Sequence, residues 1–295
     1  MTSLILKLSN KLILALLFFT VCFHSSFCYC LHANQSVGQD FYVVTVPKAG
    51  THLLMKLLVM LTNRSYVYDM WPPLGPYRFE GDAKDCYIAD KVAIAASKRW
   101  KSLNQFPVVH FNLASVYKRF SLIHPEYIAI IQLRDLRDIC VSCVFYHHHE
   151  IEKEIGPSTF DEKLLYIINL DSDSRPVNNI LNIYRNAKVA VKWVKDPNVV
   201  ISRFEDLVGP KGGGTEDAQK RQIRKIAKKL KISLDAERLD EVLQTLFGNE
   251  KGPQFPTTFR QGQIGGWKDY FKPMHKAAFK KRLGKLQQKL GYSLD

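Results

Sequence analysis

The stretch FYVVTVPKAGTHLL, at residues 41–54, constrains the fold more than any other part of the chain. It opens with uncharged β-branched and aromatic residues, which is typical of a strand buried on both faces. Pro47 ends this strand because proline cannot donate to a β-ladder, Gly50 allows a turn, and we expect Thr51 to cap the apolar helix that follows. A strand, a tight turn and a helix start direct free N–H groups at one place, so an anion site is predicted there, with Lys48 adding a charge.

The order Lys48-Ala49-Gly50-Thr51 places the lysine ahead of the glycine, which is not the order of a Walker loop. The main sequence evidence for an ATP- or GTP-hydrolysing protein is therefore missing. The alternative to an anion site is an ordinary strand-to-helix connection with a surface lysine, and the loop alone leaves both interpretations open.

The net charge of the chain indicates an anionic partner. Lysine and arginine number 42 against 28 aspartate and glutamate residues, giving a formal charge of +14 at pH 7. Nucleotides, acidic glycans, nucleic acids and lipid headgroups are the classes of partner that such a charge favours. Much of it lies at 220–231 and 268–289, in runs typical of the solvated faces of amphipathic helices, so nucleic-acid binding is not predicted.

Residues 1–33 are predicted to be a signal peptide or signal anchor, and residues 34–295 the folded domain. Lys7 and Lys11 precede the apolar run 12–23, which is short for a membrane span of about 20 residues. The positive charge lies on the N-terminal side of this run. We therefore expect the domain in the lumen of the secretory pathway, in a Golgi-like, membrane-anchored setting, or secreted.

Neither a redox centre nor a metal site is predicted. Outside the leader the cysteines are Cys86, Cys140 and Cys143, an odd number that does not suit a disulfide framework. Cys140 and Cys143 have the spacing of a redox pair on a helix, but buried small hydrophobic residues are favoured. The histidines at 147–149 are adjacent, and adjacent helical side chains point about 100° apart, so they do not converge on one ion.

Strands alternate with helices along the chain, which predicts a single α/β domain with a parallel sheet covered on both faces. Ligands of such sheets bind at the carboxyl ends of the strands. Further strands are predicted at 108–111, 127–133 and 198–204, and helices at 88–103, 136–148, 180–194, 217–230, 236–247 and 276–290. The aromatic and proline-rich stretch 66–80 is predicted to be a loop at the mouth of the site.

Two further motifs contain candidate anion-binding residues. In RDLRDICVS, Arg134 leaves a strand end and Ser142 lies two helical turns later, so a guanidinium and a hydroxyl can reach one phosphate. The alternative for Arg134 is a structural ion pair. In FRQGQIGGWK, the glycines let backbone amides approach an anion, with Arg260 and Lys268 beside it. The alternative there is an ordinary turn.

The order and spacing of these motifs, over roughly residues 41–292, resemble the sulfotransferase family. The first turn is similar to the family's 5′-phosphosulfate loop. The positions that match its 3′-phosphate motif and its C-terminal glycine-rich segment are Arg134, Asp138 and Ser142, and Arg260, Gly262, Gly265, Trp267 and Lys268. The resemblance implies a single-domain α/β fold with a central parallel sheet flanked by helices, similar to that of P-loop NTPases.

The activity implied by the resemblance is transfer of a sulfuryl group from 3′-phosphoadenosine 5′-phosphosulfate (PAPS) to a hydroxyl or amine, without a metal. The implied acceptor is a small molecule, a glycan or a peptide. Lys48 is implied to neutralise the leaving oxygen, and His110, which ends a strand similar to the family's catalytic strand, to act as general base. The residues implied to bind PAPS are Lys48, Ala49, Gly50, Thr51, His52, Arg134, Ser142, Phe204, Phe247, Arg260, Gln261 and Gly262.

The sequence departs from the family pattern at several of these places. Relatives often have tryptophan at the position of Leu53 and tyrosine at that of Phe204, both near the adenine, and a lysine at the position of Gln261. Phe247 is the best match to the family's second aromatic residue. Two other classes stay open from the sequence: a non-catalytic anion- or nucleotide-binding protein of the same fold, and a nucleotide kinase.

Overall fold

A parallel β-sheet positions the site. Its strands are β1 (Phe41–Thr45), β2 (Ser65–Tyr68), β3 (Gln105–His110), β4 (Ile128–Leu133) and β5 (Val199–Arg203), in the order β2-β3-β1-β4-β5. All neighbouring pairs are parallel, and Thr45 lies opposite His110 on one side and Gln132 on the other. The carboxyl end of β1 is therefore where the strand order reverses, which is where ligands of open parallel sheets bind.

The structure is a computed structural model that describes residues 38–68, 97–110, 121–170, 181–248 and 259–295. Ser36–Asp295 form one compact unit. The predicted leader, Cys86 and most of the predicted loop 66–80 lie outside the described residues. Within the described ranges, no helix combines the length and the apolar character that crossing a bilayer requires.

Helices cover both faces of the sheet, as the apolar strand sequences predicted. The helices are α1 (Thr51–Thr62), α2 (Leu136–Tyr146), α3 (His148–Ile155), α4 (Phe160–Asn169), α5 (Ile183–Trp193), α6 (Phe204–Leu207), α7 (Glu216–Lys229), α8 (Ala236–Thr245), α9 (Pro273–Arg282) and α10 (Gly284–Lys289). Tyr42 and Val44 of β1 pack with α2, α4 and α5 on one face, and Phe41 and Val43 pack with α1, α7 and α8 on the other.

Several predicted element boundaries were wrong. The helix predicted at 136–148 ends at Tyr146 and a new helix begins at His148, while the helix predicted at 276–290 is divided between α9 and α10. β2, α3 and α4 were not predicted. Pro107 lies inside β3 instead of ahead of it, and the pairing of β3 with β1 begins one residue later, at Val108.

The C-terminal residues are tied to the ends of the sheet strands. The Tyr292 hydroxyl donates to Glu205 Oε2 at 2.9 Å, and Arg203 Nη2 donates to the carbonyl of Leu290 at 2.7 Å. Glu205 also accepts the backbone N–H of Asp135 at 2.9 Å through Oε1. These bonds fix the connections after β4 and β5 to the last part of the chain.

Replacing Gln287 with leucine should leave a buried donor unsatisfied. Gln287 is fully buried and its Oε1 accepts the Leu136 N–H at 3.0 Å, at the start of α2 where no intrahelical acceptor exists. We expect Gln287→Leu to lower the free energy of unfolding by about 1–3 kcal/mol. Leucine at the exposed neighbour Gln288 should change it by less than about 0.5 kcal/mol. Urea denaturation measures both, and equal losses would contradict the role of this bond.

Candidate functional site

The turn between β1 and α1 contains two left-handed residues. Lys48 has φ 66° and Gly50 has φ 88°. A Cβ at Gly50 would lie 2.5 Å from the Phe204 ring, so glycine is required by both backbone angle and space. The prediction that Thr51 caps α1 was wrong. Gly50 is the N-cap residue, and Thr51 Oγ1 instead donates to Thr45 Oγ1 at 3.0 Å, which joins the helix start to the strand end.

The Lys48 ammonium lies over an aromatic ring. Its Nζ is 3.5 Å from the ring centroid of Tyr146, the last residue of α2. Among the described residues, no carboxylate forms an ion pair with Lys48. Burial lowers the pKa of Lys48, and the charge of Arg134 lowers it further. Burial also lowers the pKa of the neighbouring His52, with Lys48 as the second cause.

Arg134 connects this turn to the C-terminal glycine-rich segment. Its Nη2 donates to the Gln263 carbonyl at 2.8 Å and its Nη1 to the Lys48 carbonyl at 3.5 Å. The guanidinium lies 4.2 Å from the ring centroid of Phe204 and 3.6 Å from Asp138 Oδ2. The structural ion pair considered for Arg134 is thus present, and the same side chain brings the two predicted anion-binding segments together.

Asp138 holds the glycine-rich segment against α2. Its Oδ2 accepts the Gly265 N–H at 2.9 Å and its Oδ1 accepts the Trp267 N–H at 2.8 Å. Burial raises the pKa of Asp138, while Arg134 and the two N–H groups oppose that shift. From the sequence, Asp138 matches a family motif, but no role for it follows from that match. Its position four residues after Arg134, in the first turn of α2, was the available signal.

Arg260 lies beside the same region and is exposed. Its guanidinium carbon is 4.4 Å from the ring centroid of Phe145, and its Nη1 is 3.5 Å from the Tyr270 hydroxyl. The charge of Arg260 is among the causes that lower the pKa of Arg134, after burial, which is the largest. The two positive charges therefore repel each other, and Arg134 also bonds to the segment that follows Arg260. Phe145 and Tyr270 were not predicted from the sequence.

Phe247 packs at the glycine-rich segment, and its role at the adenine stays a prediction. A Cβ on Gly262, which has φ 63°, would lie 2.7 Å from the Phe259 ring and 3.3 Å from the Phe247 ring. The two phenylalanine rings meet edge to face with centroids 5.7 Å apart. Phe247 is half-buried, whereas Phe204 is only 4% exposed beneath the first turn.

Three other residues predicted to bind the donor are Ala49 in the turn before α1, Ser142 in α2 and Gln261 in the glycine-rich segment. Ala49 is fully buried, and its carbonyl accepts a hydrogen bond from Gln132 Nε2 at 3.2 Å. Ser142 is half-buried on α2, one turn after Asp138 and hence on the same face of the helix. Gln261 is exposed.

His110 lies at the carboxyl end of β3. It is the last residue of β3 and lies opposite Thr45, so it belongs to the same sheet edge as Lys48. Its side chain lies outside the described residues. Its role stays a prediction.

The two cysteines of α2 are free and buried, as predicted. Burial is the main cause that raises the pKa of both thiols, that of Cys143 to about 12, so they pack as small hydrophobic residues. In the ranges that the structure covers, no group of three or more histidine, cysteine, aspartate or glutamate side chains is arranged to hold a metal ion.

Alanine at Gly50 should be more damaging than alanine at Gly213, its matched control. Both glycines are left-handed, with φ 88° and ψ 34° at Gly50 and φ 87° and ψ 8° at Gly213, but a Cβ at Gly213 meets its nearest atoms only at 3.9 Å. We expect Gly213→Ala to lower the free energy of unfolding by about 1–2 kcal/mol through the backbone angle alone. Gly50→Ala should lower it by about 1–3 kcal/mol more, because the methyl group meets the Phe204 ring. Urea denaturation measures the free energy of unfolding of both variants. Equal losses would show that the Phe204 ring moves aside without cost.

Comparison with known proteins identifies the family to which the chain belongs. The sequence matches the family described as Sulfotransferase domain over residues 38–291. The solved structure of mouse sulfotransferase SULT7A1 complexed with PAP is similar in fold, with a TM-score of 0.57, 15% identity, and coverage of 86% of this chain and 89% of that chain. The comparison with curated proteins gave no match. Because the family match spans most of the chain, this chain belongs to the sulfotransferase domain family and is an enzyme of the sulfotransferase class.

Proposed function

We propose that the chain transfers a sulfuryl group from PAPS to an acceptor hydroxyl or amine. The observation that carries the proposal is Arg134, which contacts the turn of Lys48 and the segment that follows Arg260 at the same time. We assign the cationic groups that Arg134 connects to the two ends of one nucleotide. ATP has no 3′-phosphate, so a second anion seat favours PAPS over the substrate of a kinase. The PAP in the mouse relative supports the same choice.

The first turn fits the 5′ end of such a donor. The N–H groups of the first turn of α1 have no intrahelical acceptor, and the helix dipole adds positive potential at this end. Gly50 presents no side chain to an approaching anion. We assign Lys48, Thr51 and His52 to the 5′-phosphosulfate on this basis, with Lys48 as the charged member.

The second seat fits a 3′-phosphate. Arg260 is exposed and, among the described residues, has no carboxylate partner, so its charge is available to a ligand. Ser142 adds a hydroxyl from the face of α2 that Asp138 ties to the glycine-rich segment. We assign the 3′-phosphate to Arg134, Ser142, Arg260, Gln261 and Gly262, and the adenine to Phe247.

The chain's own residues then move one proton and stabilise one charge. The bound donor supplies a sulfuryl group joined to a phosphate oxygen. His110 takes the proton of the acceptor hydroxyl as the new S–O bond forms. Lys48 stabilises the negative charge that develops on the phosphate oxygen as the old S–O bond breaks. The acceptor is a small molecule, a glycan or a peptide.

Transfer of radiolabelled sulfate from PAPS to a panel of phenols, sterols, tyrosine peptides and glycans tests this function. We expect the wild-type chain to label at least one acceptor class. His110→Ala should lower the rate by about 10²–10⁴-fold, the usual contribution of a general base, while PAP binding by calorimetry is retained. His124→Ala is the matched control, because His124 pairs with Glu126 ahead of the amino end of β4.

Two results would contradict the proposed reaction, the second of them from an assay with ATP, and a third would contradict only the role of His110. PAP binding by the wild type without transfer to any class would favour the non-catalytic nucleotide-binding protein. Magnesium-dependent phosphate transfer from ATP would favour the kinase. Full activity of His110→Ala would exclude His110 as the base while leaving the reaction itself in place.

We also propose that residues 1–33 deliver the domain to the lumen of the secretory pathway, either as a cleaved signal or as an anchor. The basic residues ahead of the apolar run 12–23 support this orientation. On translation with microsomes, residues 34–295 should resist added protease until detergent opens the vesicles. Immediate digestion without detergent would contradict the proposed location.

A further inference from the structure

Two adjacent aromatic residues at the end of α2 take no part in the function proposed above. Phe145 is 40% exposed and Tyr146 is 50% exposed. Each ring nevertheless lies beside a cation. Tyr146 is 3.5 Å from Lys48 Nζ, and Phe145 is 4.4 Å from the guanidinium carbon of Arg260, both measured to the ring centroid.

The helix separates the two rings. Successive side chains of an α-helix point about 100° apart. The two neighbouring rings therefore contact cations from different segments of the chain. Further ring contacts fix the orientation of Phe145, whose centroid lies 5.1 Å from that of Phe160 and 5.3 Å from that of Tyr270. Tyr270 also accepts a hydrogen bond from Arg260 Nη1 at 3.5 Å.

The two cations lack the partners that charged groups usually have. In the part of the chain that the structure describes, neither Lys48 nor Arg260 forms an ion pair with a carboxylate. The face of an aromatic ring carries partial negative charge and attracts a cation without neutralising it. A carboxylate at the same place would compete with an anionic ligand, whereas a ring holds the cation and leaves its charge available.

We propose that Phe145 and Tyr146 are positioning residues that hold Arg260 and Lys48 at the two ends of the donor nucleotide. The proposal rests on the proposed function for the identity of that nucleotide, but not for the placement of the cations. Tyr146 serves the 5′ end through Lys48. Phe145 serves the 3′ end through Arg260. The C-terminal end of one helix therefore sets the positions of both seats.

Nucleotides with and without a 3′-phosphate separate the two rings. Calorimetry on the full-length chain should show that Tyr146→Leu weakens binding of both PAP and adenosine 5′-phosphate by about two- to fivefold, the usual effect of an exposed cation–π contact. Tyr146→Phe keeps the ring and should match the wild type. Phe145→Leu should weaken binding of PAP by a similar factor and leave binding of adenosine 5′-phosphate unchanged. Arg260→Gln should have the same effect to a larger extent. Wild-type affinity in Tyr146→Leu, or equal weakening of both nucleotides by Phe145→Leu, overturns the proposal.

A ligand-free measurement keeps the proposal testable if PAP does not bind. In a chain labelled with ¹³C-lysine, the Hε resonance of Lys48, assigned with Lys48→Arg, should be shifted upfield by the Tyr146 ring. Tyr146→Phe should retain the shift and Tyr146→Leu should remove it. Loss of PAP binding by the wild type with the shift intact would overturn the proposed function alone. A Lys48 resonance that Tyr146→Leu leaves in place would overturn the positioning role.

Discussion

The carboxylate of Asp138 is the interaction on which the site depends. It lies in the first turn of α2 and accepts two N–H groups from residues 127 and 129 positions later in the chain. It acts together with Arg134, which leaves the end of β4 and donates to the Gln263 carbonyl of the same segment at 2.8 Å. Because hydrogen bonds to charged acceptors are about twice as strong as neutral ones, one buried carboxylate can hold a segment that contains little regular structure. The sheet supplies the frame, and Asp138 joins the C-terminal segment to it.

Positive charges from Lys48, Arg134 and Arg260 lie along this edge, and the carboxylates of Asp138 and Glu205 oppose them at Arg134. Burial lowers the pKa of Lys48 and the charge of Arg134 lowers it further, so these two cations repel each other. Arg134 is stabilised by Asp138, by two backbone carbonyls and by the Phe204 ring. Lys48 lies over the Tyr146 ring, which leaves its charge in place. An anion that enters the site therefore relieves repulsion in addition to forming new contacts, which is how such a site favours a ligand charged at both ends.

The sequence predicted what is encoded locally and missed what depends on distant parts of the chain. The apolar strands around β1 and β4, the helix after Gly50 and the buried cysteines of α2 all follow from short-range pattern. The break at His147 and the glycine cap of α1 do not. Threonine is a residue type that often caps helices. Here the Thr51 hydroxyl bonds to Thr45 at the end of β1, and Gly50 is the N-cap residue of α1. The contacts of Phe145 and Tyr146 with cations from other segments have no local signal at all.

The departure from the family pattern at position 204 has a physical reason in the packing of the first turn. The Phe204 ring is 4% exposed, touches the place where a Cβ of Gly50 would be, and lies under the guanidinium of Arg134. A ring enclosed in this way has no free face for a base. We infer that Phe204 acts on the donor indirectly, because its ring fixes the positions of both the Gly50 turn and the Arg134 guanidinium. We propose that stacking on the adenine falls instead to Phe247, a half-buried ring that packs against Phe259 at the glycine-rich segment.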